Sequence, residues 1–223
     1  MIGETRRSHA VHLAWIGAVC ASVCAVAPHA VAASRGDALA GREKADSERC
    51  IECHSTDPRL SGPDSGTGGR FARLAGQAPD YLVKQLRDFR RGERRHDFMA
   101  MMARSIDEAD AADIAAYFAS LPLMRGDGSG DTLPARALYT RGDPTRGIAA
   151  CVECHGEAGK SSKTVSSVNA PVIGGQDGRY LEKQLTEWRN GERRNSPDGA
   201  MNRVTLALTD DEIRTLANYL AGL

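Results

Sequence analysis

The sequence predicts an all-α protein built from two tandem copies of one helical unit. Three observations carry this. A long pattern occurs twice in the 223 residues, apolar residues recur at helical spacing, and no stretch alternates apolar and polar residues as a half-buried strand does. "LAGQAPDYLVKQLRDFRRGERR" from Leu74 matches "IGGQDGRYLEKQLTEWRNGERR" from Ile173, and "SIDEADAADIAAYFASL" from Ser105 parallels "ALTDDEIRTLANYLAGL" from Ala207. The offset is 99 residues at the first pair and 102 at Tyr117 and Tyr219, so short loop insertions separate otherwise matching units.

At the N-terminus, Arg6 and Arg7 precede an apolar run over about 10–27, and "HAVAAS" places small residues at Ala30 and Ala32. This is the arrangement of a secretory signal over residues 1–32 with a cut near Ala32; the run is short for a retained anchor, holds His12 and ends at Pro28. Cys20 and Cys24 leave with it, and the exported chain keeps Cys50, Cys53, Cys151 and Cys154. The expected layout is a first domain at 33–121, a linker at 122–134 and a second domain at 135–223. "LPLMRGDGSGDTLP" at the seam clusters Pro and Gly and has no periodicity.

The first element of each copy is "CIECH" from Cys50 and "CVECH" from Cys151. The pairs lie about 100 residues apart, too far for one zinc site, and no βαβ setting suggests a redox dithiol. A histidine directly after the second cysteine favours c-type haem attachment. On a helical turn, residues i, i+3 and i+4 share a face, so Cys50, Cys53 and His54 can all meet one porphyrin, as can Cys151, Cys154 and His155. The thiols bond the vinyl groups and the imidazole binds iron. Two haems also supply interior bulk to a chain with 5% aromatic residues and 23 glycines.

The middle helix carries Leu82, Leu86 and Phe89 in copy one and Leu181, Leu185 and Trp188 in copy two, one buried stripe at i, i+4, i+7. Pro79 and Gly92 bound the first copy of it. The turns "RRGERR" and "RNGERR" that follow have two readings: partners for haem propionates or an acidic redox protein, or cations that complement a helix C-terminus. Methionine opposite histidine raises a haem's potential and fills the sixth position. Copy two offers Met201, seven residues before Leu208; seven before the equivalent Ile106 stands Met99. Met101 and Met102 have no counterpart and read as apolar packing, with Met102 the alternative ligand. His96 aligns with Asn195, which excludes a shared ligand role and leaves a surface histidine. The last helix of copy two opens on "TDDE", a capping box from Thr209 to Glu212, and buries Ile213, Leu216 and Leu220.

With 29 basic and 29 acidic residues, the chain has no polyanion-binding character, so nucleic acid is not an expected partner. The two CxxCH motifs, "PVIGGQ" and the methionine before "LTDDEI…YL" together resemble the dihaem cytochrome c4 family over nearly the whole exported chain. The resemblance implies two class I cytochrome c folds about a pseudo-twofold, each with a covalently bound, His/Met-ligated haem c iron. It implies a periplasmic carrier, soluble or loosely associated with the inner membrane, passing single electrons from a quinol-oxidising complex to a terminal oxidase or reductase. It further implies that a proline carbonyl orients each ligand histidine; Pro171 fits, while copy one has Ala72. Copy one also reads "CHSTDP" against "CHGEAG", so the two haem environments are expected to differ. An electron-accepting subunit of a periplasmic dehydrogenase needs the same cofactor sites. A dihaem peroxidase needs an open iron, which two methionines at matching positions argue against.

Overall fold

The computed structural model describes residues 1, 3, 36–54, 71–161 and 170–223. Contacts divide the chain into two units, Met1–Ala32 and Ala33–Leu223. Only Met1 and Gly3 of the first unit are described, so the expected signal segment lies outside the described residues. Within the second unit the described residues form ten α-helices and no named strand. None of those helices is long and apolar enough to cross a membrane.

The first half comprises α1 (Ala38–Ser47), α2 (Cys50–Cys53), α3 (Pro79–Arg91), α4 (Asp97–Ser105) and α5 (Glu108–Ser120). The second comprises α6 (Leu133–Arg141), α7 (Cys151–His155), α8 (Gly178–Arg189), α9 (Ala200–Thr205) and α10 (Asp210–Gly222). In the first half α1 and α3 pack on α5 while α4 leans on α3; in the second α6 and α8 pack on α10 while α9 leans on α8. The duplication read in the sequence is thus a duplication of packing.

Start and stop signals act where they were expected. Pro79 occupies the first turn of α3 and Gly92 ends it at φ 75, a left-handed conformation that suits glycine. Thr209 and Glu212 make the reciprocal capping box of α10. The stripes become core: Leu82 is buried with Ile106, Ile114 and Phe118 and Leu86 packs half-buried against them, Leu181 and Leu185 are buried with Ile213, Leu216 and Leu220, and Phe89 and Trp188 are buried at the far end of each stripe. The drift of the copy offset from 99 to 102 has a physical cause. Copy two inserts the 3-10 turn Pro197–Gly199 immediately before α9.

The two halves meet along a polar seam that sequence reasoning missed. Arg94 and Arg193 occupy equivalent places in the two Arg-rich turns, and Arg193 is only 4% exposed. Arg94 donates to Gln85 Oε1 at 2.9 Å and across the seam to Tyr180 Oη at 2.9 Å and Gln184 Oε1 at 2.8 Å. Arg193 donates to Gln184 Oε1 at 2.5 Å and across to Gln85 Oε1 at 3.1 Å and Tyr81 Oη at 3.3 Å. Each guanidinium also lies over its own copy's aromatic ring, Arg94 at 4.6 Å from Phe89 and Arg193 at 3.9 Å from Trp188. Arg90 and Arg189, the first arginines of the same turns, donate to Ile106 O and Leu208 O, just after the methionine helices, and Arg90 also holds Ala103 O inside α4 at 3.0 Å.

Candidate haem-attachment sites

Each CxxCH forms a single helical turn. His54 N–H donates to Cys50 O at 2.9 Å, closing the turn on which Cys50, Cys53 and His54 share a face. In copy two, α7 runs from Cys151 through His155, with Gly156 N–H bonded to Val152 O. The entries differ: Arg49 precedes the first turn in a left-handed conformation, φ 59, paired with Glu52, whereas Ala150 is extended. Among the described residues the four cysteines, Cys50, Cys53, Cys151 and Cys154, are free and half-buried. Among the described residues no group of three or more His, Cys, Asp or Glu side chains is placed to hold a metal ion. Burial pushes the Cys50 and Cys151 thiols up to about 11, so both are held protonated at neutral pH before any thioether forms.

The histidines are oriented identically by backbone. His54 Nδ1 lies 2.8 Å from Ala72 O and His155 Nδ1 lies 3.0 Å from Pro171 O. A carbonyl only accepts, so both Nδ1 atoms carry the proton and both Nε2 lone pairs are left to ligate. Burial pushes both imidazoles below their ordinary value, which keeps them neutral, the form that binds iron. Ala72 therefore presents its carbonyl at the place the proline was expected to serve. In copy two Ser161 N–H also donates to His155 O at 2.7 Å and Ile173 N–H to Gly159 O at 2.8 Å. The "CHSTDP" stretch of copy one beyond His54 lies outside the described residues.

Met99 and Met201 are both half-buried in the first turn of equivalent helices, α4 and α9. Met99 N–H donates to His96 Nδ1 at 3.3 Å and Met201 N–H to Ser196 Oγ at 3.2 Å. The exposed His96 is thus the cap of the helix that carries Met99. Met101 points outward at 55% exposure, and Met102 is half-buried one turn beyond Met99.

A haem fits these residues. Two thiols and an imidazole lie on each turn, with Nε2 without a partner among the described residues, and half-buried apolar side chains line the same half's core: Cys50, Ile51, Leu74 and Leu86 in copy one, Cys151, Val152, Ile173 and Val204 in copy two. Among the described residues Trp188 Nε1 is buried without an acceptor, an orphan that a haem carboxylate would satisfy. Copy one has Phe89 there, so it lacks that donor.

Residues 38–122 and 137–223 each match the family model described as cytochrome c. Cytochrome c4 of Thiocapsa roseopersicina is 33% identical over 195 residues, covering 87% of this chain and 96% of that protein. The thiosulfate dehydrogenase electron acceptor of Thiomonas intermedia is 32% identical, covering 78% of this chain and 77% of that protein. The reduced recombinant cytochrome c4 from Pseudomonas stutzeri superimposes with a TM-score of 0.73 at 32% identity, covering 84% of this chain and 99% of that structure. With two haem-binding turns in two matching folds, the chain belongs to the cytochrome c family as a dihaem electron-transfer protein of the cytochrome c4 kind, carrying two covalently bound haem c groups.

Proposed function

We propose that the protein is a periplasmic shuttle of single electrons between a quinol-oxidising complex and a terminal oxidase or reductase. In this reading the first 32 residues are a leader removed on export, 33–121 and 135–223 are the two haem units, and 122–134 is the linker. His54 and Met99 ligate one iron, His155 and Met201 the other. The bound haem supplies the one-electron iron couple. The chain holds each imidazole neutral and aimed by a backbone carbonyl, anchors the porphyrin through Cys50, Cys53, Cys151 and Cys154, and fills the sixth position so that no substrate reaches iron.

The observation that carries the reading is the matched setting of the two methionines. Met99 and Met201 each sit in the first turn of their helix with a capped N–H. Four residues on, Ala103 and Thr205 are both fully buried, and Ile106 and Leu208 follow at 4% and 5% exposure. Met102 has no such partner. A second reading, the electron-accepting partner of a periplasmic dehydrogenase, draws on similarity to the Thiomonas intermedia protein bearing that description.

The test is the methionine-to-ferric-haem charge-transfer absorption of the purified holoprotein during redox titration. Met99→Ala and Met201→Ala are each expected to lose about half of it, and Met102→Ala to keep it all. Loss of the band in Met102→Ala alone would reassign the ligand of the first haem, and a peroxide-binding high-spin iron in the unmodified protein would sink the carrier reading. Mixing with thiosulfate dehydrogenase, followed by the rate of haem reduction, separates the two readings.

A further inference from the structure

Two glutamines cross the seam in opposite directions, each ending on the peptide group that orients the other half's histidine. The peptide joining Ala72 to Arg73 accepts from His54 Nδ1–H at its carbonyl and donates its N–H to Gln176 Oε1 at 2.7 Å. The peptide joining Pro171 to Val172 accepts from His155 Nδ1–H and donates its N–H to Gln77 Oε1, also at 2.7 Å. Each side-chain amide completes a clasp through its nitrogen. Gln77 Nε2 donates to Val172 O at 2.8 Å and Gln176 Nε2 to Arg73 O at 2.9 Å. A backbone N–H only donates and a carbonyl only accepts, so the orientation of both amides follows from their partners. Gln77 and Gln176 are 3% and 4% exposed, which keeps water from competing.

A peptide whose N–H is held by a carbonyl is polarised, and its own oxygen becomes the stronger acceptor. A histidine that donates to a stronger acceptor is a more basic ligand, which favours ferric over ferrous iron. We infer that each haem's reduction potential is set in part by a glutamine of the other domain: Gln77 lowers the potential of the haem on His155, and Gln176 that of the haem on His54. Both are positioning residues acting through a peptide and an imidazole. The inference rests on the reading that His54 and His155 ligate iron. It gives the seam a role beyond cohesion, because it makes one domain's structure legible at the other's iron.

The experiment uses the holoprotein and its Gln77→Leu and Gln176→Leu variants, titrated electrochemically with the two haems resolved by their methyl proton resonances. Gln77→Leu is expected to raise the potential of the His155 haem, by about threefold in the one-electron equilibrium constant or near 28 mV at 59 mV per tenfold, and to leave the other in place. Gln176→Leu is expected to do the mirror. In the reduced, diamagnetic protein the Nδ1 proton of the affected histidine alone shifts upfield. Gln77→Met, which keeps the side-chain length and removes the amide oxygen, shifts the His155 proton upfield and serves if the leucine variant does not fold. Equal shifts at both haems, a larger shift at the variant's own haem, or none would overturn the inference, provided the optical spectrum stays low-spin. Absence of low-spin, histidine-ligated haem in the unmodified protein would instead refute the ligand reading.

Discussion

In α1 the backbone of Gly41 lies directly against α5: a Cβ built there would stand 1.9 Å from Asp113 O and 2.4 Å from its carbonyl carbon. Both atoms belong to a helix backbone, which cannot rotate aside. Gly41→Ala should gain up to about 1 kcal/mol of helix propensity and lose more by forcing the helices apart, for a net loss of about 1–3 kcal/mol. Urea midpoints of the two holoproteins measure this, and an unchanged or raised midpoint would show that the crossing yields. Gly92, at φ 75 with nothing within 4 Å of a built Cβ, is the contrast: there only backbone conformation opposes a side chain. Sequence alone reads a mid-helix glycine as a weak point, since nothing local announces the carbonyl pressed on it. The same limit applies at the haem sites. Cysteine, histidine and methionine report their chemistry by residue type, but the acceptor of each imidazole proton is a backbone carbonyl. Ala72 supplies it as well as Pro171 does, so the identity of the side chain carries little information.

At the scale of elements, helix ends were the most legible feature, because caps are local chemistry. The start of α10 shows what was added by tertiary structure. Arg146, in the 3-10 turn Pro144–Arg146, reaches Glu212 of the capping box at 2.5 Å and Asp143 at 2.6 Å. Arg146 holds the Glu212 carboxyl at about 2, helped by the hydrogen bonds from Thr209. The Thr145 hydroxyl and then Arg146 hold Asp143 at about 2. Both folded-state values lie below the unfolded ones, near 4, so this stability is fully present above pH ~5 and is lost as pH falls toward 2. Arg146→Gln should therefore be less stable than the unmodified protein at pH 6, and the gap should narrow by pH 3. A constant gap across that range would mean the cluster contributes through packing and not through charge. Thr209→Ala removes the cap oxygen itself and is expected to cost about 1 kcal/mol, read by thermal or urea unfolding at pH 7.

At the scale of the whole molecule, duplication was legible and the way the copies join was not. Repeated text reveals that two units exist, and the stripes Leu82–Phe89 and Leu181–Trp188 reveal each core, but a polar seam looks like ordinary surface until both halves are in place. "RRGERR" and "RNGERR" look like solvated helix ends, yet each divides its arginines between two tasks. Arg90 and Arg189 fix the end of a methionine helix within one unit, while Arg94 and Arg193 bridge the units. The two bridging cations share acceptors: Gln184 Oε1 accepts from both, and Gln85 Oε1 accepts from both and from Asn195 Nδ2 at 3.0 Å. This predicts the sign of their coupling. Removing one guanidinium leaves the other to serve the buried Gln184 and relieves like-charge repulsion between the two cations, so Arg94→Met and Arg193→Met should each cost about 1–3 kcal/mol. Removing both leaves the buried Gln184 oxygen without a donor and brings no second relief. The double variant should therefore cost more than the sum of the singles, by about 1–3 kcal/mol. Urea midpoints of the four holoproteins close the cycle, and additive costs would mean that the two arginines support their own domains independently. Because the excess arises only where the halves touch, it should also appear in calorimetry as separation of a single unfolding transition into two.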